Sequence, residues 1–237
     1  VNRPNIACFF PERFCSEEVI TSDSFQAEDV KTIDVNFRTG TIEFAQSESN
    51  IIKVTQTSFL GSSTINMKLH NGILDIHETS FKRKGFFIFN THHSVLKIDI
   101  PSKHFDAIQL NLTSGECAGA DLACDNLAVT ITSGEVELSG FFKNIYTKQT
   151  SGDIEITSNA VPDTVETKMT SGEMTLIMPD NDGFIATINK TSGSIDSTFS
   201  FTMNSDKDNR YVYKSDQTGR HYHVNMTSGD FQLYKKP

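Results

Sequence analysis

The sequence predicts an all-β protein, built as a single elongated β-solenoid similar to a right-handed β-helix, with a two-sheet β-sandwich as the alternative. The first observation is a repeat: Thr-Ser-Gly occurs six times, its serines separated by 19, 18, 20, 21 and 36 residues. The second is an alternation of apolar and polar residues on both sides of the tripeptide. A sequence repeated at a nearly fixed period is typical of architectures in which each unit needs its neighbours to bury its apolar face.

The second copy of the tripeptide, Thr132-Ser133-Gly134, shows the repeating unit most clearly. Period-2 alternation on both sides of a turn indicates strand–turn–strand with one buried face. Glycine fits such a turn because it adopts a positive φ at little cost. The shared template predicts core columns formed by Val129, Ile131, Val136, Leu138, Ile154, Ile156, Met174, Leu176, Phe231 and Leu233.

Two upstream units match the template without the tripeptide, around Thr39-Gly40 and Asn71-Gly72, which makes eight units in all. Three inward positions are not apolar. They are Thr147, Gln149 and Lys190, and we expect the position next to the turn, which Gln149 and Lys190 occupy, to be half exposed.

Additional strands lie in the intervals between units, and a separate segment precedes the first unit. Strands are predicted at residues 51–57 and 95–100, and within residues 199–213. Residues 1–30 do not fit the template, so we expect a cap or tether there, followed by a repeat domain over residues 31–237.

Composition excludes several classes of function. The net charge of −9, without a stripe of Lys and Arg, argues against nucleic acid as a partner. No apolar run reaches the ~18–20 residues that a membrane-spanning helix requires.

The four cysteines form two pairs of equal spacing, Cys8 with Cys15 and Cys117 with Cys124. Two local disulfides are one interpretation, and four unlinked thiols are the other, which we favour because Cys117 occupies an inward position of the template. The spacing does not suit a zinc site. His221 and His223 share the outer face of a strand, where we expect a solvated surface rather than a metal site.

An acidic residue follows the glycine in most copies of the tripeptide. On successive units of a solenoid these carboxylates would lie about 5 Å apart. That spacing allows weak calcium binding through carboxylate oxygens, and it is also the separation of two glycosidase carboxylates. A regular ladder is more economically explained as a solvated face, so we predict no catalytic and no cofactor-binding residue. The weak calcium candidates are Glu116, Glu135, Asp153 and Glu173.

The repeated strand–Thr-Ser-Gly–acidic–strand unit resembles the bacterial putative-adhesin β-strand-repeat family. Residues 33–40, 82–89 and 219–224 are similar to the family's usual layout, and the resemblance covers residues 30 to about 235. It implies a solenoid-like domain displayed outside a bacterial membrane, often behind an N-terminal signal or anchor, which we expect to precede this chain. It implies no catalytic or ligand residues.

The function predicted from these observations is that of a non-enzymatic surface or envelope protein, acting as an adhesin, binding module or scaffold. A β-helix enzyme that acts on polysaccharides is the alternative. The expected partner is a protein, a glycan or another envelope component.

An inserted segment is the candidate contact surface, because three cations precede a run of aromatic residues in an otherwise acidic chain. It could dock on an anionic membrane surface or on a partner, with the cations steering and the rings anchoring, or it could be a hairpin folded over the solenoid. The candidates are Lys82, Arg83, Lys84, Phe86, Phe87 and Phe89.

Overall fold

A computed structural model describes residues 18–58, 64–79, 94–205 and 209–237 of the chain. The all-β prediction is confirmed, since the described residues form strands and one 3-10 turn at Ala27–Asp29. The strands are β1 (Glu18–Gln26), β2 (Thr32–Ser47), β3 (Ile51–Ser58), β4 (Ile65–His70), β5 (Ile73–Glu78), β6 (Ser94–Pro101), β7 (Phe105–Gln149), β8 (Asp153–Ser158), β9 (Thr164–Met169), β10 (Glu173–Met178), β11 (Phe184–Lys190), β12 (Ser194–Ser197), β13 (Phe201–Ser205), β14 (Arg210–Tyr213), β15 (His221–Met226) and β16 (Asp230–Lys235).

The repeating unit, or rung, is a strand that leads into a glycine corner and a strand that leaves it. Strands before the corners pair in parallel with one another and form the first sheet; strands after the corners do the same and form the second sheet. Hydrogen bonds continue through the corner itself, where Ser151 N donates to Thr132 O at 2.9 Å. The corners therefore stack in one column, as the solenoid prediction requires and a sandwich of hairpins does not.

The order of the rungs in space differs from their order in the chain. Strand β15 pairs with β9 on one side and β11 on the other, and β16 pairs likewise with β10 and β12. The last Thr-Ser-Gly copy is thereby inserted between the fourth and the fifth. From one end of the column to the other, the corner glycines follow the order Gly40, Gly115, Gly134, Gly152, Gly172, Gly229 and Gly193.

Inward-facing residues explain this order. The rung β11–β12 carries Lys190 and Ser197 where the inserted rung carries Met226 and Leu233. A charged side chain at an inward position is tolerated only where no further rung covers it. The rung with Lys190 therefore lies at the end of the corner column, and the more apolar rung fills the interior.

The predicted core is confirmed, because none of its ten side chains is more than 1% exposed. The expectation for the polar inward positions is confirmed only for Lys190, which is exposed and donates to Gly193 O at 2.8 Å. Gln149 is buried instead, as is Thr147. The Thr147 hydroxyl donates to Thr167 Oγ1 at 3.0 Å, and the Gln149 amide nitrogen donates to two backbone carbonyls, while Gln149 Oε1 is buried without a hydrogen-bond partner among the described residues.

The unit predicted at Asn71-Gly72 is wrong as a solenoid rung. Strands β4 and β5 pair antiparallel, with Ile65 opposite Glu78 and His70 opposite Ile73. Asn71 and Gly72 have φ values of 50° and 81°. Two consecutive residues with positive φ are typical of the two-residue type I′ hairpin turn, which reverses the chain where a corner only bends it.

The additional strands predicted between units are confirmed as β3, β6 and the β13–β14 pair. Strand β1 pairs antiparallel with β3 beyond the first rung, and the domain boundary near residue 30 stays a prediction. At the opposite end, an aromatic cluster of Phe184, Phe199, Phe201, Tyr213 and Tyr222 closes the core. None of the described residues forms a helix with the length and hydrophobicity that crossing a bilayer requires.

Candidate binding faces

The outer surface of the second sheet carries the acidic ladder. Glu135 is in register with Asp153, and Asp153 with Glu173. Gly134 stacks on Gly115, which places Glu116 beside Glu135. The four predicted carboxylates therefore lie side by side, about 4.8 Å apart along the backbone.

A fifth carboxylate, Asp230, extends the row, because its strand is inserted next to β10 and in register with Glu173. In chain order Asp230 is separated from the four predicted carboxylates, because Ser194 occupies the same template position in the intervening unit. The signal that could have placed it is the inward Lys190, which marks its own rung as terminal.

Aspartates in the ladder bond to the next rung. Asp153 Oδ1 accepts the backbone N–H of Glu173 at 3.0 Å, and Asp230 Oδ1 accepts the backbone N–H of Ser194 at 3.0 Å. The Ser194 hydroxyl also donates to Asp230 at 2.6 Å, and these two bonds hold the pKa of Asp230 below its usual range. The short aspartate side chains thus link adjacent rungs by hydrogen bonds just after the corner, while the longer side chains of Glu116 and Glu135 remain exposed.

A second acidic row runs beside the first. Glu137 is in register with Glu155, and both are exposed. The row then continues into neutral residues, where the Thr175 hydroxyl donates to Gln232 Oε1 at 3.4 Å. The outer face of the second sheet is therefore a flat carboxylate surface centred on the middle rungs.

A separate carboxylate pair lies on the outer face of the first sheet. Asp34 is in register with Asp75, which interacts with His77 Nδ1 at 3.2 Å. Partial burial and then the charge of Asp75 raise the pKa of Asp34. Sequence reasoning missed this pair, because the two residues are brought together only by the pairing of β2 with β5.

The amino-acid sequence of the repeat region matches a known family. A family model fits the chain twice, over residues 30–141 and 108–234, and the two matches together span most of its length. The chain belongs to the Toastrack DUF4097 family. This agrees with the resemblance to a β-strand-repeat family of adhesins that the sequence indicates. No curated protein matches the chain.

One solved structure shares the fold at low sequence identity, and a second gives a weaker superposition. A putative cell adhesion protein from Clostridium sporogenes superposes with a TM-score of 0.57 at 16% identity, covering 93% of this chain and 100% of that one. A putative adhesin from Bacteroides fragilis gives a TM-score of 0.37 at 14% identity, covering 93% and 98% of the two chains. At this identity, the Clostridium likeness supports the fold alone.

The pair of histidines on β15 and the acidic ladder are two places where metal binding in this Toastrack chain can be considered. The His221 and His223 rings are exposed and parallel, with centroids 6.4 Å apart. No group of three or more His, Cys, Asp or Glu side chains placed to hold a metal ion occurs in the part of the chain that the structure describes. Weak calcium binding at the ladder stays a prediction.

The two described cysteines are unlinked. Cys117 and Cys124 are buried free thiols, so the disulfide interpretation is wrong for this pair. Burial raises the pKa of each thiol to about 12, which keeps both protonated and unreactive. Cys8 and Cys15 lie outside the described residues, as do all six candidates between Lys82 and Phe89.

Proposed function

We propose that this chain is a non-enzymatic binding module of the bacterial cell surface or envelope, acting as an adhesin or scaffold through the outer face of its second sheet. The observation that carries the proposal is the in-register acidic ladder. A solenoid repeats one side-chain position on every rung, so that one chemistry is displayed in a straight row. Such a row suits a partner that presents several cationic groups, since many weak contacts then act together.

Two further facts support the proposal. The Clostridium protein with the same fold is named a putative cell adhesion protein, which suggests this role by analogy of fold only. In addition, the carboxylates stand on a regular, open ladder, whereas catalytic carboxylates need a site that orients a substrate and excludes water.

The experiment compares two variants with the same change in charge. One carries Glu116→Gln, Glu135→Gln, Asp153→Asn and Glu173→Gln. The matched control carries exposed substitutions away from the ladder: Glu48→Gln, Asp106→Asn, Asp121→Asn and Glu166→Gln.

Beads coated with each protein are tested for retention on bacterial envelope fragments and on arrays of proteins and glycans. We expect the wild type and the control to be retained and the ladder variant to lose most of its binding. Equal retention of both variants would show that another face makes the contact. Retention of wild-type beads no better than that of bare beads would contradict the binding function.

The segment from Lys82 to Phe89 is a second proposed contact surface, supported by its concentration of cations and aromatic residues in an acidic chain. We expect the triple variant Lys82→Ser, Arg83→Ser and Lys84→Ser to bind vesicles containing anionic lipid less well than the wild type. Neutral vesicles serve as the control. Unchanged sedimentation with anionic vesicles would remove this surface from the proposal.

Polysaccharide cleavage is the second candidate function, favoured by the Asp34–Asp75 pair, in which partial burial and then the charge of Asp75 raise the pKa of Asp34. Release of reducing or unsaturated ends from a polysaccharide panel, abolished by Asp34→Asn with the fold intact, would promote this function over binding.

A further inference from the structure

The inserted rung, β15–β16, is held in the interior of the solenoid by bonds on both of its edges. On one side, Thr227 N donates to Met169 O at 3.0 Å and Ser228 N donates to Thr170 O at 2.9 Å. On the other, Ser192 N donates to Thr227 O at 2.9 Å. We call the space that this rung fills, between β9–β10 and β11–β12, the slot.

The slot cannot remain empty in the folded protein. Tyr222, Val224, Phe231 and Leu233 of the inserted rung are at most 1% exposed. Without them, the core side chains of the two flanking rungs and four strand edges would meet water.

The bonds that fill the slot would be the same for any copy of the chain. They are backbone bonds of the repeated template, together with apolar side chains at the shared inward positions. The neighbouring rung is a poor substitute, since it would place Lys190 and Ser197 where Met226 and Leu233 are buried.

Chain order requires the slot to form around a segment that comes later in the sequence. The β8–β9 connection, residues 159–163, advances one rung, and the equally long β10–β11 connection, residues 179–183, advances two. The outer rung, β11–β12, therefore precedes its inner neighbour, β15–β16, in the sequence. A rung that enters last can come from the same chain or from another copy.

The segment that leads to the inserted rung is suited to act as a hinge. Residues 214–220 join β14 to β15 and are polar and mostly exposed. Their ion pairs join Lys214 to Asp180 at 3.0 Å, Asp216 to Arg210 at 3.1 Å, and Arg220 to Asp182. The carboxylate of each pair is exposed, and such pairs add little stability. Gly219 has a φ of 74°, and the space where a Cβ would lie is open.

From these observations we infer that the strand pair β15–β16 is an exchangeable element, and that two copies of this chain associate by inserting it into each other's slots. The partner is a second copy, because the slot matches this segment's pattern of buried residues and its corner. Exchange replaces each lost contact with an identical one, so only the hinge changes, and this is the low-cost route to a dimer.

The experiment uses two full-length single-site variants, Glu173→Cys and Asp230→Cys, with Cys8 and Cys15 changed to Ser in both. Residues 173 and 230 are aligned neighbours on β10 and β16, close enough for a disulfide. The two variants are unfolded, mixed, refolded together and oxidised. A covalent heterodimer forms by this pairing only if β16 of one copy lies in the slot of the other.

The matched control is the mixture of Glu135→Cys with Asp153→Cys, which are aligned in the same row on β7 and β8 but belong to rungs consecutive in the chain. We expect the covalent heterodimer for the 173–230 pair and none for the control pair. We also expect the ratio of dimer to monomer after refolding to rise in proportion to the concentration of monomer.

Two results would overturn the inference. One is a folded protein that stays monomeric at every refolding concentration, with no cross-link between copies. The other is equal cross-linking of the test and control pairs, which would indicate association without exchange. Deletion of residues 215–218 provides an independent check, because a shortened hinge favours exchange and should raise the dimer fraction of the folded protein.

Discussion

Substitution of Gly134 by Ala tests the corner on which the solenoid depends. Gly134 has a φ of 113° and stacks on the preceding corner, so that an added Cβ would lie 2.8 Å from Gly115 N and closer still to Gly115 O. Ordinary contacts begin near 3.4 Å, and the clashing atoms are backbone atoms that cannot rotate away. The disfavoured φ costs about 1–3 kcal/mol. Displacing the corner weakens one or two ladder hydrogen bonds, at about 1 kcal/mol each.

We therefore expect Gly134→Ala to lower the free energy of unfolding by about 2–5 kcal/mol, a substantial part of the stability of an ordinary domain. Urea unfolding followed by far-UV circular dichroism measures the change, since the chain has no tryptophan. Gly219→Ala is the control, because Gly219 also has a positive φ but nothing within 4 Å of an added Cβ. We expect it to cost about 1 kcal/mol, from the backbone alone. Equal losses for the two variants would refute the stacking argument, and no loss for Gly134→Ala would refute the whole account of the corner.

Three further changes test the charges that the structure places. Asp34→Asn should raise the melting temperature at pH 7, because the raised pKa of Asp34 means that its ionised form opposes folding. The gain should vanish near pH 3, below the ordinary pKa of 3.8, where Asp34 is protonated in both states. A gain that does not depend on pH would contradict this. The double change Glu135→Gln with Asp153→Asn should raise the melting temperature slightly, since it removes a repulsion of about 1 kcal/mol or less while Asn keeps an acceptor oxygen. It should also reduce the stabilisation of the fold by millimolar calcium. A marked loss of stability would mean that the charges themselves are needed. Met226→Lys should destabilise the protein by about 4 kcal/mol or more in urea unfolding, because it buries a charge. Lys190→Met, at the aligned position of the terminal rung, should destabilise it by about 0.5 kcal/mol or less. Equal effects of the two changes would contradict the order of the rungs.

The corners and the core could be predicted from the sequence because equivalent positions of successive units occupy the same environment, so that the same residue pattern recurs in several copies. The hairpin at Asn71-Gly72 could not be separated from a corner by hydrophobic alternation, since a reversed strand and a bent strand bury the same alternate residues. The dipeptide itself carried the distinction. Asn-Gly favours two successive positive φ values and thus a reversal, whereas the corners place only their glycine at positive φ.

Much of the candidate site could also be predicted, since carboxylates at one template position must form a row if the rungs are in register. What the sequence left out depends on which strands become neighbours. Asp230 joins the row through an insertion, and Asp34 meets Asp75 through the pairing of β2 with β5. Neither contact has a local signal, because both partners come from distant parts of the chain.

The order of the rungs did have a signal, in the kind of polar residue that faces inward. Thr147 and Gln149 interrupt the apolar pattern as Lys190 does, yet they lie in the interior. Their neutral donors find partners there: a hydroxyl of β9 for the Thr147 hydroxyl, and the carbonyls of Gly152 and Glu173 for the Gln149 amide nitrogen. The Lys190 amine also donates to a corner carbonyl, that of Gly193, but its charge remains and needs water. A neutral polar residue facing inward is therefore compatible with any rung, whereas a charged one marks the rung that no other rung covers.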